Sequence, residues 1–133
     1  MPPFEVNWLA VIAAVVAMQV LGFLWYGPLF GKVWMGAMGK SPQDMSGPGP
    51  AIAIAMVANL VSAIVLAWFL AGATAPDLVT GLTYGLVVAI GFVIPTSLVK
   101  YAYENRNTTT ELLYVAFNLV GFAIMGMILG AWR

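Results

Sequence analysis

The chain contains neither cysteine nor histidine, and only 8% of its residues are charged. The absence of these two residue types excludes thiol chemistry, the usual zinc ligands, a haem axial histidine and imidazole acid–base catalysis. Five basic residues balance five acidic ones, so there is no basic surface for nucleic acid. We therefore expect no catalytic residues, no metal site, no cofactor and no nucleic-acid partner.

Charge is also missing from the interior of four long apolar stretches, in a chain that is 62% hydrophobic. They cover residues 7–26, 51–71, 78–99 and 112–132. Each is close to the ~20 residues that a helix needs to cross ~30 Å of hydrocarbon. Because lipid offers the backbone no hydrogen-bond partners, the stretches predict an all-α integral membrane protein with four transmembrane helices. We expect residues 1–133 to form a single membrane domain.

The connection between the first two spans has the pattern of a short amphipathic helix over residues 28–39. Pro28 suits the first position of a helix, and apolar residues, Trp34 among them, then recur at helical spacing. Lys32 and Lys40 share the opposite face. Such a helix is typical of elements that pack on the membrane surface, with lysines toward anionic headgroups. A partner-binding role for this stretch is the alternative.

The basic residues predict the orientation of the chain. Four of the five lie in the two longer connections, which four spans would place on one side: Lys32, Lys40, Lys100 and Arg106. Only Arg133 lies on the side of the two termini. The positive-inside rule therefore places the longer connections in the cytoplasm and both termini outside. So few charges leave a dual topology as the alternative.

Three strongly polar side chains lie within the spans, namely Gln19, Asn59 and Asn118, each seven or eight residues from the inner end of its helix. Thr96 and Ser97 lie somewhat nearer that end of the third span. The common depth has two interpretations. The amides hydrogen-bond across helices and hold the bundle together, or they form a polar layer or pore constriction for a small solute or ion. The spans themselves contain no titratable group, so we do not expect proton coupling.

Small residues at four-residue spacing predict close helix packing. They are Gly81 and Gly85, Gly126 and Gly130, Ala13 and Ala17, and Ala51 and Ala55. Packing within one protomer and packing between protomers are both open. Since four short helices enclose little volume, we expect a homo-oligomer, with any solute path between subunits.

Two short patterns recur in the second half of the chain. Residues 59–61 have the same sequence as residues 118–120, and residues 22–24 resemble residues 91–93. These matches predict a parallel repeat of two helical hairpins. Chance similarity between apolar segments is the alternative.

No acidic residue lies within the four apolar stretches. Thr108 and Glu111 have the spacing of a capping box, which predicts that they cap the fourth helix. The candidate acid–base groups, such as Glu104 and Glu111, lie at interfacial positions. We therefore expect that the protein is not an enzyme.

The blocks over residues 7–11 and 22–35, with the run Trp25-Tyr26-Gly27-Pro28-Leu29, resemble a bacterial four-helix membrane family. It is catalogued as domain of unknown function 1761 (DUF1761). The resemblance implies four helices across the whole chain and a bacterial cytoplasmic membrane, and it implies no catalytic residues. Our hypothesis is a homo-oligomeric structural or interaction protein whose partners are the bilayer and its own copies. The alternative is a channel or facilitator for a small solute or ion.

Overall fold

The computed structural model describes residues 6–39, 49–74, 76–105 and 107–132. The helices are α1 (Trp8–Leu24), α2 (Gly31–Met38), α3 (Gly49–Ala71), α4 (Leu78–Val88), α5 (Ile94–Glu104) and α6 (Thr108–Ala131). There are also two π-helical turns. Trp25–Leu29 follows α1, and Ala89–Val93 joins α4 to α5. No strand is present in these residues.

Four helical segments are long and apolar enough to cross a bilayer, which confirms the predicted class. They are Trp8–Leu29, Gly49–Ala71, Leu78–Glu104 and Thr108–Ala131. The third and fourth reach further than the apolar stretches alone indicated, because helix ends extend beyond the hydrocarbon-like part of a sequence. The described part of the chain is therefore an all-α membrane fold.

Proline explains both π-helical turns. Pro95 has no N–H to donate to the carbonyl of Gly91, and the helix widens there instead of ending. Around Pro28 the chain bends further, since Gly27 leaves the helical region at φ −114° and ψ −106°. Pro28 consequently lies inside the π-helical turn, and α2 begins at Gly31 rather than at the predicted Pro28.

Glycines bring α4 and α6 together at backbone distance. A Cβ atom at Gly81 would overlap the carbonyl oxygen of Gly126, and one at Gly126 would overlap that of Gly81. Gly85 faces the carbonyl of Phe122 in the same way. Gly130 faces that of Asp77, the residue before α4. The four predicted packing glycines therefore act within one protomer, and they give no support to packing between protomers.

The hydrophobic core lies in the half of the bundle that contains the start of α1 and the end of α6. Its buried members are Ala10, Val11, Ala14, Val15, Met18, Ala63, Leu66, Ala67, Leu70, Ala89, Phe122, Met125 and Leu129. At that end the Asn7 side chain caps α1 and donates to the Trp132 carbonyl at 3.3 Å. Residues 49–62 of α3 contain no buried side chain. The opposite half of the bundle is therefore loosely packed around α3.

Asp77 gives the fold a testable pH dependence. It is the N-cap of α4, and its carboxylate accepts bonds from the Thr80 N–H at 2.8 Å and the Thr80 hydroxyl at 2.9 Å. These bonds to the charged form hold the pKa of Asp77 below its usual value. The cap therefore stabilises the fold fully above the ordinary carboxyl range, and this contribution disappears as pH falls through the lowered pKa.

We expect the melting temperature in detergent to fall on acidification from neutral pH, and Asp77→Asn to reduce the fall. Asparagine caps helices about as well as aspartate but does not titrate, so the neutral-pH melting temperature should change little. Asp77→Ala should lower the melting temperature at neutral pH, and by less at acidic pH, where the aspartate cap no longer contributes. Thermal unfolding followed by circular dichroism from neutral to acidic pH measures both variants. An unchanged acid dependence in Asp77→Asn would contradict the assignment.

Candidate functional site

Two of the three amides form one hydrogen bond between helices. The Asn59 Nδ2 of α3 donates to the Gln19 Oε1 of α1 at 2.8 Å. Asn118 is only 5% exposed, but its Nδ2 donates to the Tyr114 carbonyl of its own helix at 2.9 Å. The amides are therefore not one hydrogen-bonded layer. The pair connects α1 to α3, whereas Asn118 connects no two helices.

All three amides nevertheless line the same cavity, which has a volume of about 1000 Å³. It lies between α1, α2, the first half of α3 and the first half of α6. Its lining residues are Met18, Gln19, Gly22, Phe23, Tyr26, Trp34, Ala37, Met38, Ala51, Ile52, Ala55, Asn59, Asn107, Thr110, Tyr114, Phe117 and Asn118. We refer to it as the amide cavity.

Small side chains account for the space. Ala51, Ala55 and Asn59 follow one another at four-residue intervals, so they share the face of α3 that borders the amide cavity. Gly22 and Ala37 face it from α1 and α2. The alanine spacing in α3 was predicted to permit close packing, within or between protomers, and in this protomer Ala51 is exposed and Ala55 is half-buried. The alanines border empty volume, because the large buried residues of α3 begin only at its second half.

The amides retain hydrogen-bonding capacity toward the cavity. Within the described part of the chain, Nε2 of Gln19 and the Oδ1 atoms of Asn59 and Asn118 make no protein hydrogen bond. The Thr110 Oγ1 is buried and has no partner among the same residues. An unpaired buried polar atom costs about 1–3 kcal/mol, so the Thr110 Oγ1 favours a polar occupant, either water or a ligand, and the unused amide atoms offer it further partners.

Polar side chains of α6 form a stripe along one wall. Asn107, Thr110, Tyr114 and Asn118 are three or four residues apart and all border the amide cavity. At ~1.5 Å rise per residue the stripe is roughly 16 Å long. It runs from the start of α6, at Asn107, to Asn118, which lines the amide cavity together with Gln19 and Asn59.

Aromatic contacts hold α2 beside the cavity. Trp25 donates from Nε1 to the Leu113 carbonyl of α6 at 3.1 Å. Tyr26 packs edge-on against Trp34 of α2, with ring centroids 5.0 Å apart, and against Phe117 at 5.6 Å. Trp34 therefore borders the cavity, as do Ala37 and Met38 of α2.

Lys32 is exposed, as the predicted amphipathic pattern requires, but Val33 is also 51% exposed. The apolar face of α2 is thus only partly covered by the protein. The interfacial position of this helix stays a prediction, and Lys40 lies outside the described residues.

Thr96 and Ser97 belong to a different site. They line a second cavity of about 430 Å³ with Phe92, Val93, Lys100 and Tyr114. The Thr96 hydroxyl is exposed and bonds back to the carbonyls of Phe92 and Val93 at 2.7 and 2.9 Å. Thr96 and Ser97 do not line the amide cavity with the three amides, and Tyr114 is the residue that borders both cavities.

Glu111 is the polar residue that sequence reasoning placed wrongly. Asn107 is the N-cap of α6 and accepts from the amides of Thr109 and Thr110, so Thr108 is inside the helix and the predicted capping box is wrong. Glu111 is only 3% exposed. It accepts from the Ser97 hydroxyl at 2.6 and 2.8 Å, joining α5 to α6. The available signal was the Asn-Thr-Thr-Thr run, which starts the helix about one turn before the apolar run.

Among the described residues, no three acidic, histidine or cysteine side chains form a group that could hold a metal ion. The chemistry that the site offers is therefore hydrogen bonding by amides, hydroxyls and phenols, beside aromatic and small apolar surface.

Fold and cavity together define a four-helix membrane protein with a polar cavity between its helices. The chain belongs to the family described as "Protein of unknown function (DUF1761)", whose model matches residues 9–130. This match confirms the resemblance drawn from residues 7–11 and 22–35. Comparisons with curated proteins and with solved structures gave no match. The family description assigns no activity, so function is argued from the site itself.

Proposed function

We propose that the protein is a membrane-embedded binding protein, or facilitator, for a small molecule held in the amide cavity. The supporting observation is that Gln19, Asn59 and Asn118, from three helices, line one volume of about 1000 Å³, and that each has a hydrogen-bonding atom that no described residue uses. This proposal develops the facilitator hypothesis, with the site inside one protomer instead of between subunits.

The structural hypothesis has its own support in the Gln19–Asn59 bond. A bond of this kind between membrane helices contributes ~0.6 kcal/mol on average and up to ~1.7 kcal/mol. It does not explain Asn118, whose amide bonds only to its own helix while being almost fully buried. The Nδ2 of this amide is satisfied within its own helix, so Asn118 contributes no hydrogen bond that holds two helices together. A binding role gives this residue a purpose that helix packing does not.

The rest of the assignment follows the sequence. We propose a non-enzymatic protein of the bacterial cytoplasmic membrane, with both termini outside and the amide cavity in the cytoplasmic half. Lys32 and Lys100 support this orientation, and Lys40, Arg106 and Arg133 lie outside the described residues. Labelling of Thr74→Cys and Asn105→Cys by an impermeant maleimide in whole cells tests it, with reaction expected only at position 74. A homo-oligomer stays a proposal that the glycine contacts do not support.

The absence of native cysteine allows a direct test of whether the amide cavity is open to water. Ala55 borders the cavity, whereas Ala53, on the same helix, is exposed on its outer surface. Iodoacetamide is uncharged and alkylates the thiolate, which forms only where water reaches the thiol. For the protein in amphipol, we expect Ala55→Cys to react at least about tenfold faster than Ala53→Cys, as a wet site next to a dry one requires.

Asn118→Leu separates the two hypotheses. In the Ala55→Cys background, loss of the polar wall should slow alkylation severalfold, while the melting temperature stays within a few degrees of the parent because no bond between helices is lost. Asn59→Leu should instead lower the melting temperature. Slow alkylation of Ala55→Cys, equal to that of Ala53→Cys, would overturn the binding role. So would an Asn118→Leu variant that melts far lower with unchanged alkylation.

A further inference from the structure

We infer that the ligand of the amide cavity is a neutral amphiphile of lipid size, with a hydrocarbon part and a hydroxyl or carbonyl headgroup. This inference rests on the proposed function and names its ligand class. It is argued from the cavity's size, the charge of its walls and the distribution of its polar groups.

Size excludes the smallest solutes as a good fit. A volume of about 1000 Å³ has room for roughly thirty water molecules, at ~30 Å³ each. Pockets of this size typically hold drug-sized molecules and bury most of their surface. A solute of a few heavy atoms, or a bare ion, would contact only a small part of these walls.

Charge selects a neutral ligand. None of the described residues that line the cavity is Asp, Glu, Lys or Arg. An ionised headgroup would therefore lose its hydration without a charged partner, which is far more costly than burying a neutral polar group. The available partners are amides, hydroxyls and phenols, which both donate to and accept from a neutral headgroup.

The lining combines a few polar groups with a larger apolar surface. The polar groups are the stripe of α6 and the Gln19–Asn59 pair. The side chains of Phe23, Trp34 and Ile52, with the alanines of α3, supply apolar surface from α1, α2 and α3. A molecule that is polar throughout would leave the apolar surface unmatched, and a pure hydrocarbon would leave the amide atoms unpaired. An amphiphile satisfies both.

The first half of α3 indicates the route by which a ligand enters the amide cavity. Residues 49–62 contain no buried side chain, and Ile54 and Val57 are 70% and 62% exposed. In a bilayer this segment is surrounded by lipid, so the space between it and α1 opens toward the hydrocarbon. A chain-bearing molecule dissolved in the membrane can enter from that side without crossing water.

The test uses three probes that separate chain from headgroup: mono-oleoylglycerol, oleate and glycerol. With Ala55→Cys in amphipol at neutral pH, we expect mono-oleoylglycerol to slow alkylation by iodoacetamide at least about fivefold. Oleate should need at least about ten times the concentration, because its headgroup is charged. Glycerol should have no effect. Equal protection by oleate, or protection by glycerol alone, would overturn the neutral-amphiphile assignment while leaving a binding role in place.

Native mass spectrometry provides the second readout. The unsubstituted protein should retain one mono-oleoylglycerol per chain. Ala55→Trp should lose it, because the indole fills the cavity, and Ala53→Trp, on the outer surface, should keep it. Retention by Ala55→Trp with an unchanged melting temperature would place the ligand elsewhere and overturn the inference. If Ala55→Cys is itself no more reactive than Ala53→Cys, the proposed function fails along with the ligand class.

Discussion

Gly81→Ala is expected to lower the free energy of unfolding by about 3 kcal/mol, at the upper end of the usual range for overpacking. The added methyl group would overlap the Gly126 carbonyl oxygen and approach the Cα of Gly130. Both neighbours are backbone atoms of α6, so no rotamer change relieves the overlap and the two helices must separate. Separation weakens the van der Waals packing that holds membrane helices together. Unfolding by dodecyl sulfate in mixed micelles, followed by circular dichroism, measures the loss.

Gly91→Ala is the matched control. Gly91 is also a glycine of the third span, but it is exposed, and a Cβ atom there meets nothing within 4 Å. Alanine is the better helix former by about 1 kcal/mol, so this variant should be neutral or slightly more stable. Gly126→Ala should behave like Gly81→Ala, since the contact is reciprocal. Similar stability for Gly81→Ala and Gly91→Ala would show that α4 and α6 are not in backbone contact.

The glycines illustrate how far sequence reasoning reaches in this protein. Four-residue spacing predicted the packing of Gly81, Gly85, Gly126 and Gly130 correctly, because small residues are needed wherever backbones approach. It could not predict the partner. An identical spacing in Ala51 and Ala55 borders a cavity, since the outcome depends on the residues of the facing helix. The four spans, in contrast, follow from length and apolar composition alone.

The polar site shows the same limit. Distance from the helix ends correctly predicted that Gln19 and Asn59 lie at a similar depth, because the rise per residue sets the depth of a side chain along its helix. The rotation of each helix about its axis is set by packing, and it turned Ser97 away from the amides and toward Glu111. Glu111 was assigned to the end of the helix because the apolar run begins after it, while Asn107 starts the helix one turn earlier. The helix start decides that this carboxyl is buried.

Ser97→Ala is expected to lower the free energy of unfolding by about 2 kcal/mol. Glu111 is 3% exposed and accepts from the Ser97 hydroxyl. Removal of the donor leaves a buried carboxyl short of one partner, and a group in that position costs about 1–3 kcal/mol. Thr96→Ala is the control on the adjacent residue. Its hydroxyl is exposed and bonds only to its own helix, so its loss should stay within about 0.5 kcal/mol.

A double-mutant cycle with Glu111→Leu identifies the pair as the cause. In the Glu111→Leu variant the Ser97 hydroxyl has lost its carboxylate acceptor. Ser97→Ala should therefore lower the free energy of unfolding by at least about 1 kcal/mol less in this variant than in the parent. Additive losses would mean that the two side chains do not interact. The coupling is measurable whatever the other contacts of Glu111, because these contribute equally to both sides of the cycle.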